Sequence, residues 1–252
     1  MKKGGNIMES RLNPSAKNKA LGVLLLILSV FGFLIFAHRL SCYVYEYDPQ
    51  YSPVDYGKYN ILSYFTVQSN FFCYIYLLFA SLGIFGCKRA QKIGFNPTFG
   101  ALITVYVLIA GITYCGGIPL GMTPPSKWDT AIHSMSSFIQ IYYHMIMPVV
   151  VLILWFFPFN NKRIGKKCLA LSGIYPLVYS IFSMIRGAYS DPQYYPYPFY
   201  NPEFIWSLLF GDKPINFPVA YGIISVMLVF GILLFVGVTA IIVSIHNKRI
   251  RN

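Results

Sequence analysis

Six stretches of this chain, 20–38, 60–86, 98–119, 132–158, 168–188 and 218–245, are apolar and long enough to cross a hydrocarbon core about 30 Å thick, and none contains Asp or Glu. In hydrocarbon a backbone must satisfy its own hydrogen bonds, which only helices and closed barrels do. The expected fold is therefore all-α, a polytopic membrane protein with a bundle of six transmembrane helices over 20–245, a basic leader at 1–19 and a tail at 246–252. Composition agrees, with only 11% charged residues against about 25% in a soluble domain.

The first stretch has the basic leader of a signal peptide (Lys2, Lys3, Arg11, Lys17, Lys19). Its apolar run exceeds the 7–15 residues or so of such a signal, and it ends in His38-Arg39-Leu40-Ser41-Cys42, where Arg39 argues against cleavage. It reads as a retained span.

Charge sets the orientation. Most of the 20 basic residues lie in the leader, in the link after span 2 (Lys88, Arg89, Lys92), in the link after span 4 (Lys162, Arg163, Lys166, Lys167) and in the tail (Lys248, Arg249, Arg251). The positive-inside rule puts those segments and both termini in the cytoplasm, and the expected location is the cell (cytoplasmic) membrane. Every acid but Glu9 then falls outside. The net charge of +12 is accounted for by topology and contact with anionic lipid, so nucleic acid is not an expected partner.

Polar residues inside a bilayer are costly and normally face protein or water. Here they fall in three stripes at helical spacing: Ser63, Thr66, Asn70, Cys73; His133, Ser137, Gln140, His144, Pro148; and Ser172, Tyr175, Tyr179, Ser183, Arg186. Thr66, Gln68, Ser69 and Asn70 cluster early in span 2. One reading is helix–helix glue. The other makes Thr66 a nucleophile with Asn70 one turn on. His144 is either a structural histidine tied to Gln140 or a base. A threonine hydroxyl needs an adjacent base to attack an ester, and histidine is suited to that task. Asn70, Gln140, Tyr179 and Arg186 are the candidates for stabilising an oxyanion or anchoring substrate. Arg186 also reads as a snorkelling residue, or as a partner for Asp55, Asp191 or Glu203. No carboxylate within the spans orients His144. No ligand set at metal spacing is present, and neither metal nor cofactor is expected.

The outer loops are aromatic. The first carries Tyr43, Tyr45, Tyr47, Tyr51 and Tyr56; the third carries Tyr194-Tyr195-Pro196-Tyr197-Pro198-Phe199-Tyr200. An interfacial belt explains most of these rings, and the prolines suggest a rigid cap over the outer mouth of the bundle. Glu203–Phe210 is apolar but too short to span, and is expected to form a half-helix capped by Asn201 and ended by Gly211. Of the five cysteines, Cys42 and Cys115 both lie near the outer face, but no spacing dictates that they pair.

Tyr64-Phe65-Thr66, Ser69-Asn70, His144 with Pro148, Tyr175-Pro176-Leu177 with Tyr179, Arg186-Gly187 and Tyr195-Pro196-Tyr197-Pro198-Phe199 occur in one order. In that ordered set the chain resembles the bacterial six-span membrane proteins related to the animal androgen-induced membrane proteins. The resemblance covers most of 20–245. The animal proteins are threonine hydrolases of fatty acid esters of hydroxy fatty acids, so it implies an ester hydrolase with Thr66 as nucleophile, His144 as the essential histidine, and a fatty-acyl ester among membrane lipids as substrate. The chain departs from those relatives in its richer polar cluster after Thr66, its longer outer loops and its histidine-to-proline spacing. The alternative is a non-catalytic multipass protein, either a small-molecule permease or a scaffold, whose stripes serve packing.

Overall fold

The computed structural model describes residues 16–42, 58–120, 127–156, 162–191 and 193–250. Most of the basic leader, the first outer loop with its tyrosines and Asp55, and Arg251 lie outside the described residues. Helices are α1 (Ala16–Cys42), α2 (Phe65–Ile84), α3 (Lys88–Gly94), α4 (Pro97–Gly117), α5 (Ala131–Ile141), α6 (Met147–Trp155), α7 (Lys167–Tyr189), α8 (Pro202–Phe210) and α9 (Phe217–Arg249). No strand occurs among the described residues. Six helical segments are long and apolar enough to cross a membrane, from Lys19–Ser41 to Phe217–Arg249, and they match the six expected stretches. This is an all-α polytopic membrane protein.

Burial ranks the helices. Over its most apolar window α4 is 56% buried, against 28% for α1 and 22% for α9. Thus α4 is central, packed on α2, α6, α7 and α9, while α1 and α9 present long apolar faces to lipid. Against α2, α1 is held by side chain to main chain bonds: Ser29 Oγ donates to the Tyr74 carbonyl (2.8 Å) and Ser81 Oγ to that of Gly22 (2.7 Å). This is the interhelical glue expected of small hydroxyls in a bilayer. At the basic end His246 Nε2 lies 3.0 Å from the Lys162 carbonyl, and Asn247 exchanges two 2.9 Å bonds with the main chain of Ile164.

Helix starts follow their local chemistry. Asn96, Asn201 and Asn216 cap α4, α8 and α9 with side-chain oxygens, each with a proline at the first or second helical position. Asn201 accepts from Glu203 N (2.9 Å), and Gly211 ends α8 at φ 65, so the expected half-helix is present. The fourth span is not one regular helix. Between α5 and α6, Tyr142–Ile146 forms a π-turn. Pro148 lacks the N–H that would bond the carbonyl of residue 144, and the turn before it widens. Cys115 carries a free, exposed thiol and forms no disulfide.

At the α2–α3 corner, a Cβ on Gly94 would fall on the main chain of Phe79 and Ala80. Gly94→Ala is therefore expected to cost about 1–3 kcal/mol. The check is thermal unfolding of the detergent-purified protein, with the midpoint lowered by about 2–4 °C for each kcal/mol lost.

Candidate active site

The three polar stripes converge on the first turn of α2. Its N-cap, Tyr64, makes no capping bond, yet the opening amides of a helix have no acceptor within it. Tyrosines from elsewhere supply acceptors: Phe65 N–H donates to the Tyr179 hydroxyl of α7 (3.2 Å), and Thr66 N–H to the Tyr197 hydroxyl of the third outer loop (3.3 Å). Tyr179 in turn donates to the Ser63 carbonyl (2.7 Å). Arg186 braces the preceding turn, Lys58–Ser63, by donating to Asn60 Oδ1 (2.7 Å), with its guanidinium 5.1 Å above the Tyr194 ring.

Thr66 sits at the second position of α2 and is 5% exposed; His144 lies in the π-turn and is 9% exposed. Thr66 Oγ1 is 3.2 Å from His144 Nε2, and His144 Nδ1 is 2.9 Å from the Gln140 carbonyl. A carbonyl only accepts, so Nδ1 carries the proton and Nε2 turns its lone pair to the threonine hydroxyl. The sequence pointed to Gln140 as the partner of His144; the main-chain carbonyl, not the side-chain amide, makes that bond, because residues four apart on one stripe place carbonyl and ring together. The Tyr114 ring of α4 stacks on the imidazole at 3.8 Å and 12°. Below the π-turn, α4 comes close because residue 111 is glycine: a Cβ there would lie 2.6 Å from the His144 carbonyl oxygen and 2.7 Å from Pro148 Cγ.

Asn70, fully buried, ties the two halves together, its amide donating to the Thr66 carbonyl (2.9 Å) and to that of Tyr143 (3.5 Å). Both its hydrogens thus face main-chain carbonyls. Of the residues expected to serve an oxyanion, Asn70 and Tyr179 hold the start of α2, Gln140 orients His144, and Arg186 braces the turn before α2. Other stripe residues do structural work. Ser137 Oγ accepts from Lys127 N (2.8 Å) and donates to the Lys127 carbonyl (2.7 Å). His133 lies at the outer start of α5 with Nδ1 2.7 Å from Asp129 Oδ1, and that hydrogen bond lowers the Asp129 carboxyl below its ordinary value.

Sequence reasoning missed four residues here: Tyr197, Tyr114, Gly111 and Arg39. Arg39, which entered the sequence reading only as an argument against cleavage, is only 7% exposed at the outer end of α1 and donates to Ser136 Oγ of α5 (2.9 Å). Tyr197 had a signal, in the Tyr/Pro run, but nothing in that run distinguishes it from its neighbours. Compared with family models, with curated proteins and with solved structures, the chain matches none of them.

Proposed function

We propose that this membrane protein is an ester hydrolase acting on fatty-acyl esters at the outer side of the bundle, with Thr66 as nucleophile and His144 as general base. The observation that carries the proposal is the 3.2 Å approach of Thr66 Oγ1 to His144 Nε2, between residues 78 apart in the chain. That distance lies within the ~2.6–3.2 Å reach of a general base, and the Nδ1 bond leaves the facing nitrogen unprotonated. The resemblance to the androgen-induced membrane proteins singles out the same two positions.

In the first half-reaction the Thr66 proton moves to Nε2 as Oγ1 bonds to the acyl carbon, and the carbonyl π pair becomes an oxyanion. The C–O bond to the alcohol then breaks, the carbonyl re-forms, and the imidazolium protonates the leaving alkoxide. A water, deprotonated by His144, attacks the acyl-threonine. The fatty acid leaves, and Thr66 recovers its proton. The Gln140 carbonyl stands where a carboxylate often stands, fixing the tautomer without adding a charge. His144 therefore works as half of a dyad.

The test is a fluorophosphonate probe on the detergent-purified protein. Wild type is expected to be labelled at Thr66, with labelling absent in Thr66→Ala and reduced in His144→Ala. Undiminished labelling in both variants would sink the assignment.

A further inference from the structure

We propose that Tyr197 is a further catalytic residue, its hydroxyl being the donor that receives the oxyanion when Thr66 adds to an acyl carbon. The inference rests on the hydrolase reading above.

Such a reaction needs a donor close to the nucleophile. Three of the four residues expected from sequence to provide one are directed elsewhere, Asn70 to the Thr66 and Tyr143 carbonyls, Tyr179 to the Ser63 carbonyl and Arg186 to Asn60, and the fourth, Gln140, meets His144 through its main-chain carbonyl. Tyr197 alone among these lies against the reacting oxygen, its hydroxyl 3.4 Å from Thr66 Oγ1 and 3.3 Å from Thr66 N.

The protons assign its role. Thr66 donates its hydroxyl hydrogen to His144 Nε2, so the Tyr197 hydrogen is the one shared between the two hydroxyls, and it points at Oγ1. When Oγ1 becomes an ester oxygen bonded to carbon, it is a poorer acceptor, and the new negative charge sits one bond away on the former carbonyl oxygen. A small rotation of the Tyr197 O–H carries its hydrogen to that charge. The interaction then strengthens in the transition state more than in the ground state, which is the condition for acceleration. Burial raises the Tyr197 hydroxyl above the ordinary phenol value, so the proton is present to be donated.

The loop holds the hydroxyl in place. The Tyr197 ring stacks on Phe199 (5.1 Å, 5°) and meets the Tyr64 ring edge-on (5.9 Å). Tyr64 and Tyr194 join hydroxyls at 2.6 Å, and Tyr200 meets Ser180 at 2.9 Å. Phenylalanine at 197 keeps those ring contacts and removes the donor, together with the acceptor of the Thr66 N–H, a loss that bears on ester and thionoester alike.

The experiment compares p-nitrophenyl octanoate with its thionoester, in which a poorly accepting sulfur replaces the carbonyl oxygen. Tyr197→Phe is expected to lower kcat for the ester about 10²–10³-fold, with KM little changed, while the thionoester rate falls by less than about tenfold. Tyr194→Phe, which loosens the loop but leaves the donor, is expected to lower both rates equally. Incorporation of 3-fluorotyrosine at 197 keeps the fold and strengthens the donor, so the ester-to-thionoester ratio is expected to rise. Equal losses on the two substrates in Tyr197→Phe, an ester rate within threefold of wild type, or a ratio unmoved by 3-fluorotyrosine would each overturn the role of Tyr197 while leaving the hydrolase intact. Ester turnover that is absent in wild type, or that survives Thr66→Ala, overturns the hydrolase reading and this role with it.

Discussion

Thr66→Ala is expected to lower ester turnover by at least about 10³-fold and His144→Ala by about 10²–10⁴-fold, with the double variant no slower than the slower single one. The two side chains act on one proton. Without the hydroxyl there is nothing for His144 Nε2 to activate; without the imidazole the hydroxyl faces no base. Residues that act as a unit are strongly non-additive, and a double-mutant cycle on initial rates with p-nitrophenyl octanoate reads this directly. Multiplying effects would mean that the 3.2 Å contact is structural rather than catalytic.

Gly111→Ala is expected to cost about 10²-fold in kcat/KM while the protein still folds. The added methyl would lie 2.6 Å from the His144 carbonyl oxygen and 2.7 Å from Pro148 Cγ, closer than carbon tolerates. The main chain of the π-turn cannot swing aside as a flexible side chain could, so the turn or α4 must shift. His144 and its stacking partner Tyr114 lie on those two elements, and misplacement by about 1 Å costs on the order of 10²-fold. The fold should survive, because overpacking by one methyl usually costs about 1–3 kcal/mol. Kinetics and thermal unfolding on the same preparation separate the two: a normal rate with a lowered midpoint would remove Gly111 from the support of the site.

The bundle was legible from composition because a bilayer permits so few backbones. Span limits shifted by only a few residues, and the half-helix at Pro202–Phe210 followed from Asn201 and Gly211, whose effects are local. The convergence of the stripes was legible only as a demand that each face protein. Nothing in spacing says that residue 66 meets residue 144; periodicity works within a helix, and this contact crosses helices. Tyr197 was hidden for a different reason. In a chain with 21 tyrosines an interfacial belt is the ordinary explanation for any one of them. Gly111 was hidden because a glycine in a membrane helix carries no mark of what crosses it. Pro148 was legible as the end of the second stripe, but not as the cause of a widened turn at His144.

The borrowed caps of α2 bear on how the protein is made. The amides of Phe65 and Thr66 wait for Tyr179 and Tyr197, which lie 114 and 131 residues further along. At about 5–20 residues per second, a ribosome needs roughly 6–26 s to deliver them after Phe65 and Thr66 themselves have been added. The helix that carries Thr66 is therefore made before the final acceptors of its first two amides exist, and the Thr66 environment is finished only when the third outer loop folds back across the bundle. A nascent chain that ends before Tyr197 lacks its contacts with Thr66, so the proposed activity is expected only once the third outer loop has been made.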